Sequence, residues 1–204
     1  MTKTHRIKAD APEVPHLQDR ALENLRFIRA TMEQAAPFTV ISGSGMASVG
    51  AVALLIAPLA HAMRSPAAWV AAWLGTAVVS LAIIAGASVR KAQRTDRALL
   101  GGAERKFLLA VMPAMMVGLV LSIALLARGY PELLPAIWML LYGTAVMAGG
   151  AFSVPPIPVM GAVFVLFGVL ALALPPTWGD WLMAATFGLV HLGFGAWVGV
   201  KHGG

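Results

Sequence analysis

Six long apolar segments constrain the fold of this chain more than any other feature. They cover approximately residues 38–60, 67–89, 107–127, 133–150, 157–174 and 181–200, and none contains Asp, Glu, Lys or Arg. A helix of about 20 apolar residues is long enough to cross the hydrocarbon core of a bilayer. A helix also satisfies its own backbone hydrogen bonds there. The sequence therefore predicts an all-α polytopic membrane protein with six transmembrane helices.

The composition and the connectors agree with this class. Charged residues make up 12% of the chain, about half of the fraction found in soluble domains, and the mean hydropathy is +0.79. The connectors that join spans one and two, three and four, and five and six are too short for soluble domains. We therefore expect a bundle over residues 37–200 that is built from three helical hairpins.

The basic residues predict the orientation of the bundle. All of the Lys and Arg residues except Arg64 and Arg128 precede span one, lie between spans two and three, or follow span six. The positive-inside rule then places both termini in the cytoplasm. Loops of this kind suit anionic lipid headgroups, so the net charge of +6 does not require a nucleic-acid partner. We expect a multi-pass protein of a bacterial inner (cytoplasmic) membrane.

The residues before span one divide into two parts. Residues 1–16 are predicted to be a flexible tail because they are rich in charge and proline. Residues 17–36 carry a continuous apolar stripe at helical spacing. This amphipathic helix either lies on the inner membrane surface or docks on a partner or a second copy. Residues 201–204 form a short cytoplasmic tail.

The six spans contain no group of residues that is typical of a catalytic or metal-binding site. The chain has no cysteine, and every acidic residue lies outside the six apolar segments. An enzyme site needs a nucleophile with a base, paired carboxylates or metal ligands within reach of one another. We therefore predict no enzymatic activity and no metal site. The tryptophans lie mostly near span ends and are interpreted as interfacial anchors.

The segment SGSGMASVG in span one has the composition of a phosphate-binding loop but not its pattern. A dinucleotide fingerprint needs a third glycine where Ser48 stands, and it follows a β-strand. On a helix, Gly43, Ala47 and Gly50 instead belong to a surface of small residues that lets a second helix approach closely. We predict that this segment is a helix-packing surface.

The last span combines a similar surface with an ionisable side chain. Gly188, Gly195 and Gly199 are predicted to pack against another helix, and His191 lies near mid-membrane on the same face. An intramembrane ionisable residue is a functional candidate by default. A neutral histidine that bonds to a neighbouring helix is the structural alternative. Tyr142 is among the few other polar side chains expected at that depth.

Two chemical roles for His191 stay open at this point. With a methionine as the second axial ligand, it would hold a b-type haem. As a proton-linked group, it would change charge near neutral pH, although no acidic or basic partner lies in the spans. We expect that the protein binds no cofactor.

The spans also show signs of an internal repeat and of a known architecture. GAV opens segments at Gly50 and Gly161, and GTAV occurs at Gly75 and again at Gly143. One hairpin used three times would give this pattern. Over residues 160–199, MGAVFVLFGVLALALPPTWGDWLMAATFGLVHLGFGAWVG resembles the six-span bacterial inner-membrane family associated with acid resistance. That resemblance implies an architecture of hairpins and brings no catalytic residues with it.

Three functions follow from these observations. The first is a non-enzymatic membrane protein that acts by helix packing with itself or with a membrane-protein partner. The second is a small transporter or channel for a neutral or apolar solute with His191 in the pathway. The third is a b-type haem protein.

Overall fold

A computed structural model describes residues 17–35, 42–95, 102–151 and 153–202. The α-helices are α1 (Leu17–Ala35), α2 (Gly43–His61), α3 (Pro66–Thr95), α4 (Gly102–Arg128), α5 (Leu134–Gly150), α6 (Pro156–Ala173), α7 (Gly179–Met183) and α8 (His191–His202). A π-helical segment, Ala184–Val190, joins α7 to α8 without a break. We call α7, this segment and α8 together the sixth span. The predicted tail over residues 1–16 lies outside the described residues.

Six of these helices are long and apolar enough to cross a membrane. They are α2 to α6 and the sixth span, so the prediction of a helical protein with six such segments is confirmed. α1 is amphipathic, with Leu25 and Phe27 exposed on its surface. It forms a unit separate from the six-helix bundle, which follows it in the chain.

Local chemistry explains where several of these helices begin and end. Ser42 caps α2, because its Oγ accepts a hydrogen bond from the Gly45 N–H at 3.2 Å. α4 ends at Arg128, and Gly129, which follows it, has a φ of 80° that suits a residue without a side chain. α3 and α6 each start at a proline, Pro66 and Pro156, which needs no backbone donor in the first turn.

Within the bundle, four spans form the centre and two lie outside it. α2 packs chiefly on the sixth span, and α5 packs chiefly on α6. α3 is held mainly by α2, and α4 mainly by α5. Much of the apolar surface of α3 and α4 is exposed. The last predicted hairpin therefore differs from the first two. α3 and α4 each contact mainly their hairpin partner, whereas neither α6 nor the sixth span contacts mainly the other.

Glycines make the two central contacts very close. A Cβ atom added to Gly50 would lie 2.6 Å from the Gly188 carbonyl oxygen and 2.8 Å from the Leu192 nitrogen. On the other pair, a Cβ added to Gly143 would lie 2.7 Å from the Gly161 oxygen and 2.8 Å from the Val165 nitrogen. Backbone therefore rests on backbone at both crossings.

The residues predicted to pack helices lie along the first of these crossings. A Cβ added to Gly43 would lie 2.6 Å from the Gly195 oxygen, and one added to Gly195 would lie 2.6 Å from the Ala47 nitrogen. A Cβ on Gly199 would come within 3.9 Å of the Gly43 Cα. The small residues of α2 thus face those of the sixth span inside one chain. The crossing of α5 on α6 was not among the predictions.

Candidate functional site

The two candidate side chains of the sequence analysis meet in the centre of the bundle. The Tyr142 hydroxyl on α5 lies 2.8 Å from His191 Nε2 at the start of α8. His191 Nδ1 lies 3.4 Å from the Thr186 carbonyl oxygen. A carbonyl can only accept, so Nδ1 carries the proton and Nε2 accepts the hydroxyl hydrogen of Tyr142. The pair is a neutral hydrogen-bonded link between two spans.

The π-helical segment places the histidine in this position. A π-helical turn holds an extra residue, and such turns are frequent at functional sites. Here the wider turn brings the Thr186 carbonyl, five residues earlier in the chain, beside the His191 ring. Thr186 is itself buried, and its hydroxyl donates to the Leu182 carbonyl at 2.8 Å. The irregular backbone and the histidine side chain therefore hold one another in place.

Two phenylalanines enclose the Tyr142–His191 pair. Phe164 on α6 is fully buried and meets the His191 ring edge-on, with 5.3 Å between ring centroids. Phe187 in the π-helical segment is nearly parallel to the same ring at 6.1 Å. Tyr142 contacts both phenylalanines, at 4.7 and 5.3 Å. Three spans thus contribute to one aromatic enclosure, in which His191 is 3% exposed.

Depth in the bundle follows from helix geometry. His191 lies twelve residues beyond the start of α7. At about 1.5 Å per residue, that distance places it near the middle of a hydrocarbon core about 30 Å thick. The enclosure therefore lies near the middle of the sixth span.

A second polar cluster lies at the end of the bundle that carries the short connectors. Asp180, near the start of α7, accepts a hydrogen bond from Trp69 Nε1 at 2.7 Å. Its other oxygen lies 3.2 Å from His61 Nδ1 at the end of α2. The Trp69 ring stacks on Trp138 of α5 at 5.4 Å and 2°. Trp138 in turn donates to the buried Ser122 hydroxyl at 2.9 Å.

Trp73 links this cluster to the enclosure. It lies one turn beyond Trp69 on α3, and its ring contacts both Trp69 and Phe187 with centroids 6.5 Å away. Only 5% of its surface is exposed, and its indole N–H has no acceptor in the described part of the chain. We call Trp69, Trp73, Trp138 and Phe187 the aromatic track. It leads from Asp180 to the Tyr142–His191 pair.

The burial of Trp73 differs from the interfacial position expected of the tryptophans. Trp178 and Trp181 are more than half exposed, as anchors at a membrane surface would be. Trp69 and Trp138 stack on one another inside the bundle instead. The signal in the sequence was the spacing of four between Trp69 and Trp73, which places both rings on one face of α3.

The ring nitrogens and the ring faces of His191 are already in contact with neighbouring groups. Among the described residues, no group of three His, Cys, Asp or Glu side chains could hold a metal ion. The nitrogen of His191 that would bind haem iron already accepts the Tyr142 hydroxyl hydrogen. Phe164 and Phe187 pack against the ring. These contacts leave no open coordination position at His191.

Comparison of the chain with family models, with curated proteins and with solved structures finds no match.

Proposed function

We propose that this protein is a small, non-enzymatic transporter or channel for a neutral solute in the cytoplasmic membrane of a bacterium, with both termini in the cytoplasm. The observation that carries the proposal is the buried Tyr142–His191 pair at mid-membrane. An ionisable side chain inside a membrane-spanning segment is a functional candidate by default. The aromatic track would be the route from the connector end of the bundle to this pair.

The backbone around the pair supports the same proposal. π-helical turns inside α-helices are frequent at functional sites. Irregular backbone in a membrane is tolerated only where protein or a cavity covers it. The π-helical segment ends at His191. Its Thr186 carbonyl and the Tyr142 hydroxyl are groups that a solute could engage in place of the histidine ring.

Charge favours a neutral solute over an ion. The six apolar segments contain no Asp, Glu, Lys or Arg. The carboxylate of Asp180 lies at the connector end and is already shared by Trp69 and His61. An ion brought to His191 would meet aromatic rings and neutral dipoles, and its desolvation would not be compensated.

The glycine crossings would close the other half of the pathway. Beyond the Tyr142–His191 pair, α2 and the sixth span touch through Gly43, Ala47 and Gly195. Contacts between backbones leave no space for a solute. The described arrangement therefore leaves no passage between these two helices, and transport would require them to separate.

Removing one hydroxyl tests this proposal. Permeation of acetamide, urea and glycerol into proteoliposomes is measured by stopped-flow light scattering, with protein-free liposomes as the baseline. We expect the protein to raise permeation of at least one of these solutes, and Tyr142→Phe to lower that increment about tenfold by removing a hydrogen-bonding group from the site. Tyr130→Phe, at the only other tyrosine and in an exposed connector, should leave it unchanged. Baseline permeation of all three solutes, or equal rates for both variants, would contradict the proposal.

Helix packing between copies of the chain is a second candidate, favoured by one face of α3. Ala71, Gly75, Val78 and Ala82 follow one another at spacings of four, three and four, and all are exposed in the single chain. A Cβ added to Gly75 would meet nothing within 4 Å. Small residues at such spacing let two membrane helices approach closely.

Native mass spectra of protein released from lipid nanodiscs test this second candidate. We expect multiples of the 21.3 kDa chain, and Gly75→Leu should shift the distribution to single chains because the larger side chain separates the helices. Gly193→Leu, at an exposed glycine of α8 with open space around it, serves as the control and should retain the assembly. Single chains in the unaltered protein would rule out assembly through α3. A retained extra mass would instead identify a bound lipid or solute.

A further inference from the structure

We infer that the indole N–H of Trp73 donates to the carbonyl oxygen of a small neutral amide bound in the aromatic track. The inference rests on the proposed transport function and narrows its solute to one chemical class. It begins from a hydrogen-bond donor that is deeply buried and has no acceptor in the described part of the chain.

The other two indoles of the aromatic track, unlike that of Trp73, have hydrogen-bond acceptors. Trp69 donates to Asp180, and Trp138 donates to Ser122. Both partners are contributed by other helices, so the bundle provides acceptors for indoles at this level of the membrane. Buried donors in folded proteins nearly always have a partner. The one donor of the track that lacks a partner is therefore the place where an acceptor from outside the chain would bind.

A resident water molecule fits this position less well than a solute does. A buried water needs two to four polar partners. The groups that contact the Trp73 ring include the rings of Trp69 and Phe187, which present apolar surface. A solute that brings a flat apolar face together with its acceptor would be stabilised by both the rings and the N–H.

The hydroxyl group of Tyr142 favours an amide over other solutes of this kind. Tyr142 donates its hydrogen to His191, so its oxygen can still accept a second hydrogen bond. Trp73 thus offers a donor and Tyr142 an acceptor, and the rings of both contact Phe187. A primary amide is planar and has the complementary pair, a carbonyl acceptor and an N–H donor.

Indole resonances of ¹⁵N-tryptophan-labelled protein in nanodiscs test the inference directly, with acetamide as the probe. The Trp73 signal is assigned by its loss in Trp73→Phe. We expect its proton resonance to move downfield with added acetamide and to saturate, because the N–H gains an acceptor. The signals of Trp178 and Trp197, which are 52% and 42% exposed, should not follow the same saturating curve.

The Trp73→Phe variant supplies an independent readout. It removes the indole N–H, so we expect acetamide permeation to be about fivefold slower. The smaller ring also leaves a void in the core, so the unfolding temperature should fall. A merely structural tryptophan would slow acetamide and glycerol permeation equally, whereas loss of the donor should slow acetamide more. Trp178→Phe, in the connector before the sixth span, should change neither quantity.

The outcomes separate this inference from the transport function. A Trp73 resonance that does not move when acetamide is added overturns the inference. A resonance that is already downfield without solute also overturns it, because a resident water molecule would then be the acceptor. Equal acetamide permeation in Trp73→Phe and unaltered protein also overturns it, while the transport function stands. If acetamide moves the Trp73 resonance but is not transported, the binding site stands and the transport function fails.

Discussion

Alanine in place of Gly143 should lower the free energy of unfolding of the bundle by about 3 kcal/mol, the upper part of the range for overpacked sites. The added methyl group would lie 2.7 Å from the Gly161 oxygen and 2.8 Å from the Val165 nitrogen. Both are backbone atoms, which cannot turn away as the end of a flexible side chain can. α5 and α6 would have to separate along their whole contact. Gly50→Ala should act in the same way on α2 and the sixth span.

Gly193→Ala is the matched control for this prediction. Gly193 is also a glycine within a spanning helix, but a Cβ there would meet nothing within 4 Å. Alanine restricts the unfolded chain more than glycine does, so stability should stay the same or rise by up to about 1 kcal/mol. Thermal unfolding of the purified variants in detergent, followed by circular dichroism, measures both effects. Equal unfolding temperatures for Gly143→Ala and Gly193→Ala would show that the crossings are not close-packed.

Replacing His191 with alanine should give the second large effect. The change leaves a void between Phe164 and Phe187 and deprives the buried Tyr142 hydroxyl of its acceptor. Loss of a buried ring and of a hydrogen-bond partner together should cost about 3 to 5 kcal/mol of stability. Solute permeation should fall to the level of protein-free liposomes, since the mid-membrane group is gone.

A double-mutant cycle tests whether this effect passes through the Tyr142–His191 bond. Tyr142→Phe alone should cost about 1 to 2 kcal/mol, and adding it to His191→Ala should cost almost nothing more. His61→Ala is the matched control, since His61 also bonds to a side chain of another helix but is 47% exposed. It should change stability by less than about 1 kcal/mol. Additive losses from Tyr142→Phe and His191→Ala would show that the two side chains act independently.

The spans were predictable because one physical requirement fixes them. A segment that crosses a hydrocarbon core must be apolar over its whole length and must satisfy its own backbone groups. The observed α5, Leu134–Gly150, and α6, Pro156–Ala173, therefore lie within a residue of the predicted spans 133–150 and 157–174.

The pairing of the spans could not be read from the sequence in the same way. Gly43, Ala47 and Gly50 mark a helix face that permits close approach, but every other glycine-rich span offers a similar face. The choice of the sixth span as the partner of α2 depends on the fit of whole helices. Gly75 shows the same ambiguity. It shares the motif GTAV with Gly143, yet a Cβ added to it would meet nothing within 4 Å.

The candidate site was predictable in its residues but not in its geometry. His191 and Tyr142 were predicted as candidates because they are polar side chains in apolar segments. Their hydrogen bond joins positions 49 residues apart, and no local pattern reports such a contact. The π-helical segment was also missed, since one extra residue in seven shifts the helical periodicity too little to be seen among residues that are almost all apolar.

The contact between α2 and the sixth span has a consequence for how the protein is made. The first spanning helix to leave the ribosome finds its main partner only in the last one. Until the sixth span is inserted, the face of Gly43, Ala47 and Gly50 is exposed to lipid or to other nascent chains. A ribosome that stops before residue 179 would therefore release a chain whose first spanning helix still lacks its main partner. Membrane proteases that recognise loosely packed helices would have a clear means of telling such fragments from the finished protein.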